Sequence, residues 1–142
     1  MNHSVDGIVR FFETLTPQSV ARCADFYAPQ ARFKDPFKDV QGVPAIQAIY
    51  AHMFTGLYAP RFVVIARVVS GHQCFLTWDF HFRFKNFDTG TPQTIHGGSH
   101  LHLDTDGRIT LHRDYWDAAE ELYEKLPVVS SLMRWLKRKA NT

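Results

Sequence analysis

The chain of 142 residues is short of cysteine and nearly balanced in charge. Its two cysteines, Cys23 and Cys74, form no C-x-x-C pair, and so few thiols are typical of core residues in a reduced compartment. The formal net charge is only +2, which argues against a protein that binds nucleic acid by neutralising phosphates. We therefore expect a cytoplasmic protein without a nucleic acid partner.

Long hydrophobic runs are also missing. The longest one, residues 62–66, ends at Arg67 and is far shorter than the ~20 residues that a transmembrane helix requires. No basic segment followed by an apolar one opens the chain, so a secretory signal is not expected. Aromatic residues, in contrast, are plentiful: twelve Phe, five Tyr and three Trp can fill a core and also line a cavity. We expect residues 1–142 to form a single domain.

Helical spacing of apolar residues occurs at both ends of the chain. It predicts a helix over residues 4–15 capped by Ser4, a second from Thr16 to Pro29, and a third from about 42 through 54. A capping box at residues 117–120 begins a closing helix, which Pro127 interrupts before a final helix to about Lys139.

Alternation of apolar and polar residues begins at Pro60 and predicts strands. The predicted strands are Ala31–Asp35, followed by a loop over Pro36–Gln41, and then Arg61–Ser70, Leu76–Phe84, Gln93–Asp104 and Arg108–Trp116. This order predicts an α+β fold, in which N-terminal helices pack on a strongly curved, mostly antiparallel sheet, with a C-terminal helical extension. Because helices cannot fill the concave side of such a sheet completely, we expect a cavity lined by aromatic residues.

The segment before the third helix places a carboxylate, Asp35, between Phe33 and Phe37. Partial removal from water would raise its proton affinity toward that of a general base, although Asp-Pro is also a common way to leave a strand in a surface turn. Residues 26–37 resemble the segment of ketosteroid isomerases that carries the aspartate base, and the whole chain resembles the SnoaL-like branch of the nuclear-transport-factor-2-like superfamily. The resemblance implies a cone-shaped fold with Asp35 as the base.

The same resemblance extends to other positions and fails at two. Tyr27, Tyr50 and Trp116 match residues of the isomerase pocket. The tyrosine and the protonated aspartic acid that donate hydrogen bonds to the oxyanion of the isomerases are replaced here by Phe11 and Ser99. Because one lost donor of this kind typically costs about 10²–10³ in rate, we do not expect steroid isomerisation.

Asp114, on the last predicted strand, is a second candidate base. Alternation places it on the same strand face as His112. The strand resembles that of limonene-epoxide hydrolases, in which an aspartate at this position activates water. The positions of their partner arginine and second aspartate correspond to the region of Trp78 and Phe80 in this sequence, so that triad is missing here. In SnoaL-type polyketide cyclases an aspartate on this strand works with a histidine on its neighbour, and His100 is the counterpart. A salt bridge to a nearby arginine is the alternative role of Asp114.

The pairing of the last two strands decides whether Ser99 or His100 faces the cavity. A tight loop at Thr105-Asp106 pairs Ser99 with His112, whereas a loop that includes Gly107 as a bulge pairs His100 with His112. The sequence leaves both open.

Three histidines, His96, His100 and His102, share one strand face. Because no carboxylate or cysteine has a matching spacing, solvation or a subunit contact is a better explanation than a metal site, and we expect no metal or other cofactor.

Trp78 and Phe80 are predicted to form the cavity wall with Phe54, while Phe82 and Phe84 are predicted to be core. Related proteins commonly dimerise through the opposite sheet face, so a homodimer is expected. The final helix is basic and amphipathic; we expect it to pack against the domain or its dimer mate rather than a membrane surface.

These patterns together predict a protein that binds a small, largely apolar ligand bearing a carbonyl or similar oxygen. In the enzyme hypothesis Asp35 or Asp114 is the base, and Tyr27, Tyr50, Ser99 and His112 orient the ligand. The alternatives are a non-catalytic binding or interaction module and water activation by Asp114.

Overall fold

The computed structural model describes residues 2–86, 88–121 and 138. Its helices are α1 (Asn2–Glu13), α2 (Cys23–Phe26), α3 (Val43–Gly56) and α4 (Ala118–Glu121), and a 3-10 turn at Ser19–Arg22 precedes α2. The strands are β1 (Tyr27–Lys34), β2 (Asp39–Gln41), β3 (Leu57–Ser70), β4 (Gln73–Phe84), β5 (Gln93–Leu103) and β6 (Ile109–Tyr115). The predicted break at Pro127 and the final basic helix lie outside the described residues.

The six strands form one mixed sheet in the order β2-β1-β6-β5-β4-β3. Strands β1 and β6 pair in parallel, and all the other neighbours are antiparallel. Helix α1 packs against β3, and α3 packs against β1 and β3. The core lies between them and contains Ile8, Ile46, Leu76 and Leu101, which are fully buried. The predicted α+β fold, with helices on one face of a curled and mostly antiparallel sheet, is confirmed.

The predicted second helix is confirmed only in part: a 3-10 turn at Ser19–Arg22 and α2 occupy its middle, and its end is wrong. Helix α2 ends at Phe26, and Tyr27 begins strand β1. A proline disfavours helical backbone in the residue before it, so Pro29 acts as part of the extended segment rather than as a stop at its far end. The start of the first helix also differs, because Ser4 lies inside α1 and does not cap it.

Part of the predicted loop over residues 36–41 is a strand. Strand β2 pairs with the end of β1, where the guanidinium of Arg32 donates two hydrogen bonds to Asp39, at 2.8 and 2.6 Å. The chain then turns at Gly42, whose φ of 97° lies in the left-handed region that favours glycine. A strand of only three residues is too short to show an alternating pattern.

Both registers predicted for β5 and β6 are wrong. Ser99 pairs with Asp114 and His100 pairs with Arg113, because Thr110 is an extra residue between the pairs Leu103–Ile109 and His102–Leu111. A bulge of this kind shifts every later pair on the strand by one residue. The result nevertheless buries Ser99 and directs His100 to the other face, where its Nε2 lies 2.8 Å from the side chain of Gln73.

Both cysteines are free and buried, as predicted for core residues. Burial raises the pKa of the Cys23 thiol to about 12 and also raises the pKa of Cys74. Neither thiol is therefore activated as a nucleophile. Among the described residues, no helix is long and apolar enough to cross a membrane.

Candidate active site

A cavity of about 370 Å³ lies between α3 and the inner face of β3, β4 and β5. Eight aromatic side chains line it: Phe33, Tyr50, Phe62, Trp78, Phe80, Phe82, Phe84 and Trp116. Its charged lining residues are Asp35, Asp114 and Lys38. A smaller space adjoins it and is bordered by Ser99, His112 and Asp114. The predicted aromatic cavity is thus a feature of this fold.

A continuous chain of buried hydrogen bonds runs along the back of the cavity. The hydroxyl groups of Tyr50 and Tyr27 lie 2.8 Å apart, and that of Tyr27 lies 2.7 Å from Nδ1 of His112. Nε2 of His112 lies 2.7 Å from Oδ1 of Asp114. The Ser99 hydroxyl donates to the same Oδ1 at 2.5 Å. Strands β5 and β6 therefore each contribute one partner to this carboxylate oxygen, and the chain of bonds connects it further to β1 and α3.

The far end of this chain is an indole group. Nε1 of Trp78 can only donate, and it donates to Oγ of Ser99 at 2.9 Å. The serine hydroxyl is consequently free to donate its own proton to Asp114. Trp78 thus fixes the direction of the serine hydroxyl as well as forming part of the cavity wall.

The directions of the other bonds follow from the carboxylate. When Asp114 is ionised it can only accept, so His112 donates from Nε2, and in a neutral imidazole Nδ1 is then the acceptor. Tyr27 then donates to Nδ1, and Tyr50 donates to the oxygen of Tyr27. This assignment satisfies every member, and no buried side-chain polar atom in the described part of the chain lacks a partner.

The two phenols remain protonated over the whole physiological range. Burial is the largest effect that raises the pKa of Tyr27 well above its ordinary value, and the neighbouring Tyr50 raises it further. Burial also raises the pKa of Tyr50, followed by the negative charge of Asp114. Both hydroxyl groups therefore stay available as donors, as the assigned directions require.

Asp114 lies where the inner cavity, the adjoining small space and an outer groove of about 580 Å³ meet. Its side chain is 14% exposed, whereas that of His112 is 3% exposed. Both internal bonds of Asp114 use Oδ1. Oδ2 carries no hydrogen bond within the described part of the chain.

Asp35 combines the two alternatives that the sequence leaves open. It forms a turn, because its Oδ1 accepts from the backbone N–H groups of Phe37 and Lys38 at 2.8 and 2.7 Å. It also lines both the cavity and the outer groove. Asp35 itself is half-buried, whereas Phe37 is 48% exposed and packs its ring edge-on against Trp116.

Nine of the twelve predicted site residues come together at this cavity. Asp35, Tyr50, Trp78, Phe80, Asp114 and Trp116 line it, Ser99 and His112 border the adjoining space, and Tyr27 lies behind them in the hydrogen-bonded chain. Ser99 and His112 both form hydrogen bonds with Asp114, whereas the sequence predicts that they orient the ligand.

The other three predicted residues lie elsewhere. Phe11 is core and stacks on Phe26 with ring centroids 4.3 Å apart. Phe54 is half-buried on α3 and is not among the lining residues. His100 lies on the outer sheet face, so it does not reach Asp114 as a polyketide-cyclase-like partner.

Sequence reasoning missed several lining residues. Phe82 and Phe84 are predicted as core, yet they follow Trp78 and Phe80 at the same alternation and share their face. Phe62 pairs directly with Phe80 and stacks on it at 4.6 Å. The alternation of apolar and polar residues shows that these side chains share one face of the strand, but it does not show how far along the strand the cavity extends.

Gly97 lies opposite Trp78 and offers a test of the cavity wall. A methyl group at this position would come within 2.5 Å of the indole ring, which is fixed by its bond to Ser99. We expect Gly97→Ala to lower the free energy of unfolding by about 1–3 kcal/mol. Urea denaturation checks this, with Gly90→Ala as control because nothing lies within 4 Å of that position. Equal stability of the two variants would contradict the prediction.

The described side chains provide neither a metal site nor the catalytic triad of an epoxide hydrolase. No group of three His, Cys, Asp or Glu side chains in the described ranges is placed to hold a metal ion. The positions at which an epoxide-hydrolase triad would need an arginine and a second aspartate are near Trp78 and Phe80, which are buried aromatic residues.

The fold is that of the nuclear-transport-factor-2-like superfamily. A Catenulispora acidiphila DSM 44928 protein with a ketosteroid-isomerase-like fold, solved in complex with trimethylamine, has a TM-score of 0.71 and 15% identity, and the match covers 84% of this chain and 88% of that one. A candidate SnoaL-like polyketide cyclase from Shewanella putrefaciens CN-32 has a TM-score of 0.69 and 20% identity, and the match covers 86% of this chain and 97% of that one. An epoxide hydrolase of the limonene-epoxide-hydrolase-like type from M. tuberculosis has a TM-score of 0.66 and 13% identity, and the match covers 84% of each chain.

Within that superfamily the chain belongs to the SnoaL-like domain family, whose model matches residues 8–112. The comparison with curated proteins finds no match. At these low identities the solved structures show the fold alone.

Proposed function

We propose that this protein is an enzyme that removes a proton from a small molecule bound in the aromatic cavity, with Asp114 as the general base. One observation carries the proposal: Oδ1 of Asp114 is fixed by Ser99 and His112, while Oδ2, at the edge of the cavity, has no hydrogen-bond partner among the described residues. A base must be held in place and must keep one oxygen open, and Asp114 meets both conditions.

The hydrogen-bonded chain supports this role by donating two hydrogen bonds to Asp114 in a largely apolar site. Desolvation alone disfavours a buried carboxylate, and two donated hydrogen bonds offset part of that cost. Since His112 is itself positioned by Tyr27, the donor at Oδ1 cannot rotate away without breaking a second buried bond. We infer that His112, Ser99 and Tyr27 are positioning residues and that Asp114 is the catalytic one.

The reaction class is that of an isomerase, cyclase or lyase that begins with transfer of a proton to Asp114. Asp35, at the cavity rim, is the second carboxylate and a candidate to return or relay that proton. Activation of water by Asp114 uses the same oxygen and is the second candidate, favoured by the contact of Asp114 with the outer groove. A related fold solved with trimethylamine is consistent with a small ligand.

The test uses 5-nitrobenzisoxazole, a neutral aromatic probe whose ring C–H bond is broken by a base. Proton removal breaks the ring N–O bond and releases a coloured nitrophenolate, so the reaction needs no oxyanion donor from the protein. We expect the protein to accelerate this elimination above the rate in buffer, with a slower rate for the probe deuterated at the reacting carbon.

Controls separate the cavity from the protein surface. Asp25→Asn removes an exposed carboxylate on α2 that pairs with Arg22, and it should leave the rate unchanged. Failure of the unaltered protein to exceed buffer would leave the non-catalytic binding module as the function of this cavity. The homodimer expected through the outer sheet face stays a prediction.

A further inference from the structure

The hydrogen-bond donors at the back of the cavity are all committed to other protein atoms. With Asp114 ionised, the protons of Tyr50, Ser99 and Trp78 are donated within the chain of hydrogen bonds, as is that of His112. A ligand oxygen placed there meets acceptors rather than donors. The expected carbonyl-bearing ligand therefore finds little to bind at this end.

The acceptors, in contrast, are open. Oδ2 of Asp114 and Oδ2 of Asp35 carry no hydrogen bond within the residues that the structure describes. Lys38 and His52 are the basic side chains that line the cavity, and both belong to exposed residues at its rim. Among the described lining residues, the two carboxylates outnumber the one permanently charged base, Lys38.

The remaining walls are built from aromatic rings, whose faces attract cations through the ring quadrupole. Trp78 and Trp116, the strongest ring type for this interaction, both line the cavity beside Asp114. Phe62 meets Trp78 edge-on at 5.4 Å, so rings of different orientation surround the same space. Aromatic walls with a carboxylate at one end are a combination that suits a cation and gives a neutral molecule no added affinity.

We propose that the ligand of this cavity carries a positively charged nitrogen, as a small alkylammonium group, seated among the aromatic rings with Asp114 and Asp35 as counter-charges. The proposal rests on the proposed function only in taking this cavity as the ligand site. It replaces the carbonyl oxygen of the expected ligand with a cation as the recognised group.

The test compares two probes that differ in one atom. Choline and 3,3-dimethylbutan-1-ol have the same shape, but choline has a positive nitrogen where the alcohol has a carbon. Isothermal titration calorimetry on the unaltered protein is expected to show that choline binds about tenfold more tightly or better. Equal or tighter binding of the alcohol, or no binding of either probe, overturns the proposal.

Variants then locate the cation. Asp114→Asn and Asp35→Asn should each weaken choline binding several-fold and leave the alcohol unchanged, whereas Asp25→Asn should change neither. A choline preference that is undiminished in both cavity variants would place the cation elsewhere and overturn the proposal. If one variant does not fold, the other and the two-probe comparison still decide.

The 5-nitrobenzisoxazole assay separates this proposal from the proposed function, because that probe is uncharged. Turnover without a choline preference would support the proposed enzyme and contradict the proposed cationic ligand. A choline preference without turnover would support the cationic ligand and contradict the proposed enzyme. Choline is also expected to inhibit turnover competitively, and non-competitive behaviour would place it outside the cavity.

Discussion

Asp114→Asn is expected to lower turnover of 5-nitrobenzisoxazole by about 10²–10⁴-fold, the usual contribution of a positioned general base. Asparagine has nearly the same shape, and its amide oxygen can still accept from Ser99 and His112, so the cavity should keep its form. What it loses is the open oxygen that takes the proton. Initial rates measure the effect, and urea denaturation confirms that the variant is folded.

Asp35→Asn is the matched comparison for that result. Asp35 lies at the rim, and its Oδ1 already accepts two backbone N–H groups in a turn. We expect only a few-fold loss of turnover from this variant. A large loss with Asp35→Asn, together with unchanged turnover in Asp114→Asn, would move the base to the rim and contradict the assignment.

The order of helices and strands could be predicted from the sequence because the hydrophobic pattern repeats regularly over long segments. Alternation over Leu76–Phe84 gives a strand with one buried face, and β4 has that face over Gln73–Phe84. The segment near Pro29 was harder, since Tyr27 continues the helical spacing of α2 while tertiary pairing with β6 makes it extended. Local patterns cannot weigh a partner strand that lies some 80 positions later.

The candidate site was predictable as a set of residues and much less as a set of bonds. Asp114 and His112 are two apart on a strand, so a shared face follows from the pleat alone. The pairing of Ser99 with Asp114 depends on the bulge at Thr110, and threonine at that position gives no signal of one. The direction of each bond then depends on which groups are buried, which only the packed structure supplies.

Tyr27→Phe is expected to lower the free energy of unfolding by about 2–4 kcal/mol, the largest effect among the positioning residues. The Tyr27 hydroxyl is the only side-chain bridge in the described structure between Tyr50 and His112. Its removal leaves a fully buried nitrogen of His112 without a donor and removes the acceptor of Tyr50. Urea denaturation followed by tryptophan fluorescence measures the change.

Tyr50→Phe provides the contrast, because Tyr50 ends the chain and its hydroxyl only donates to Tyr27. That variant leaves one lone pair of Tyr27 unfilled while Tyr27 still donates to His112, so a loss of about 0.5–1.5 kcal/mol is expected. A greater loss for Tyr50→Phe than for Tyr27→Phe would contradict the bond directions assigned above.

A pH series adds a second readout to the same variants. The pKa of each phenol is raised by burial in the folded state. The unfolded chain loses these protons near a pH of about 10, so stability should fall as the pH rises above that value. Each Tyr→Phe variant removes one such group and should show a shallower fall. An unchanged slope in Tyr27→Phe would mean that this phenol ionises as readily when folded, which the bond to His112 and complete burial both oppose.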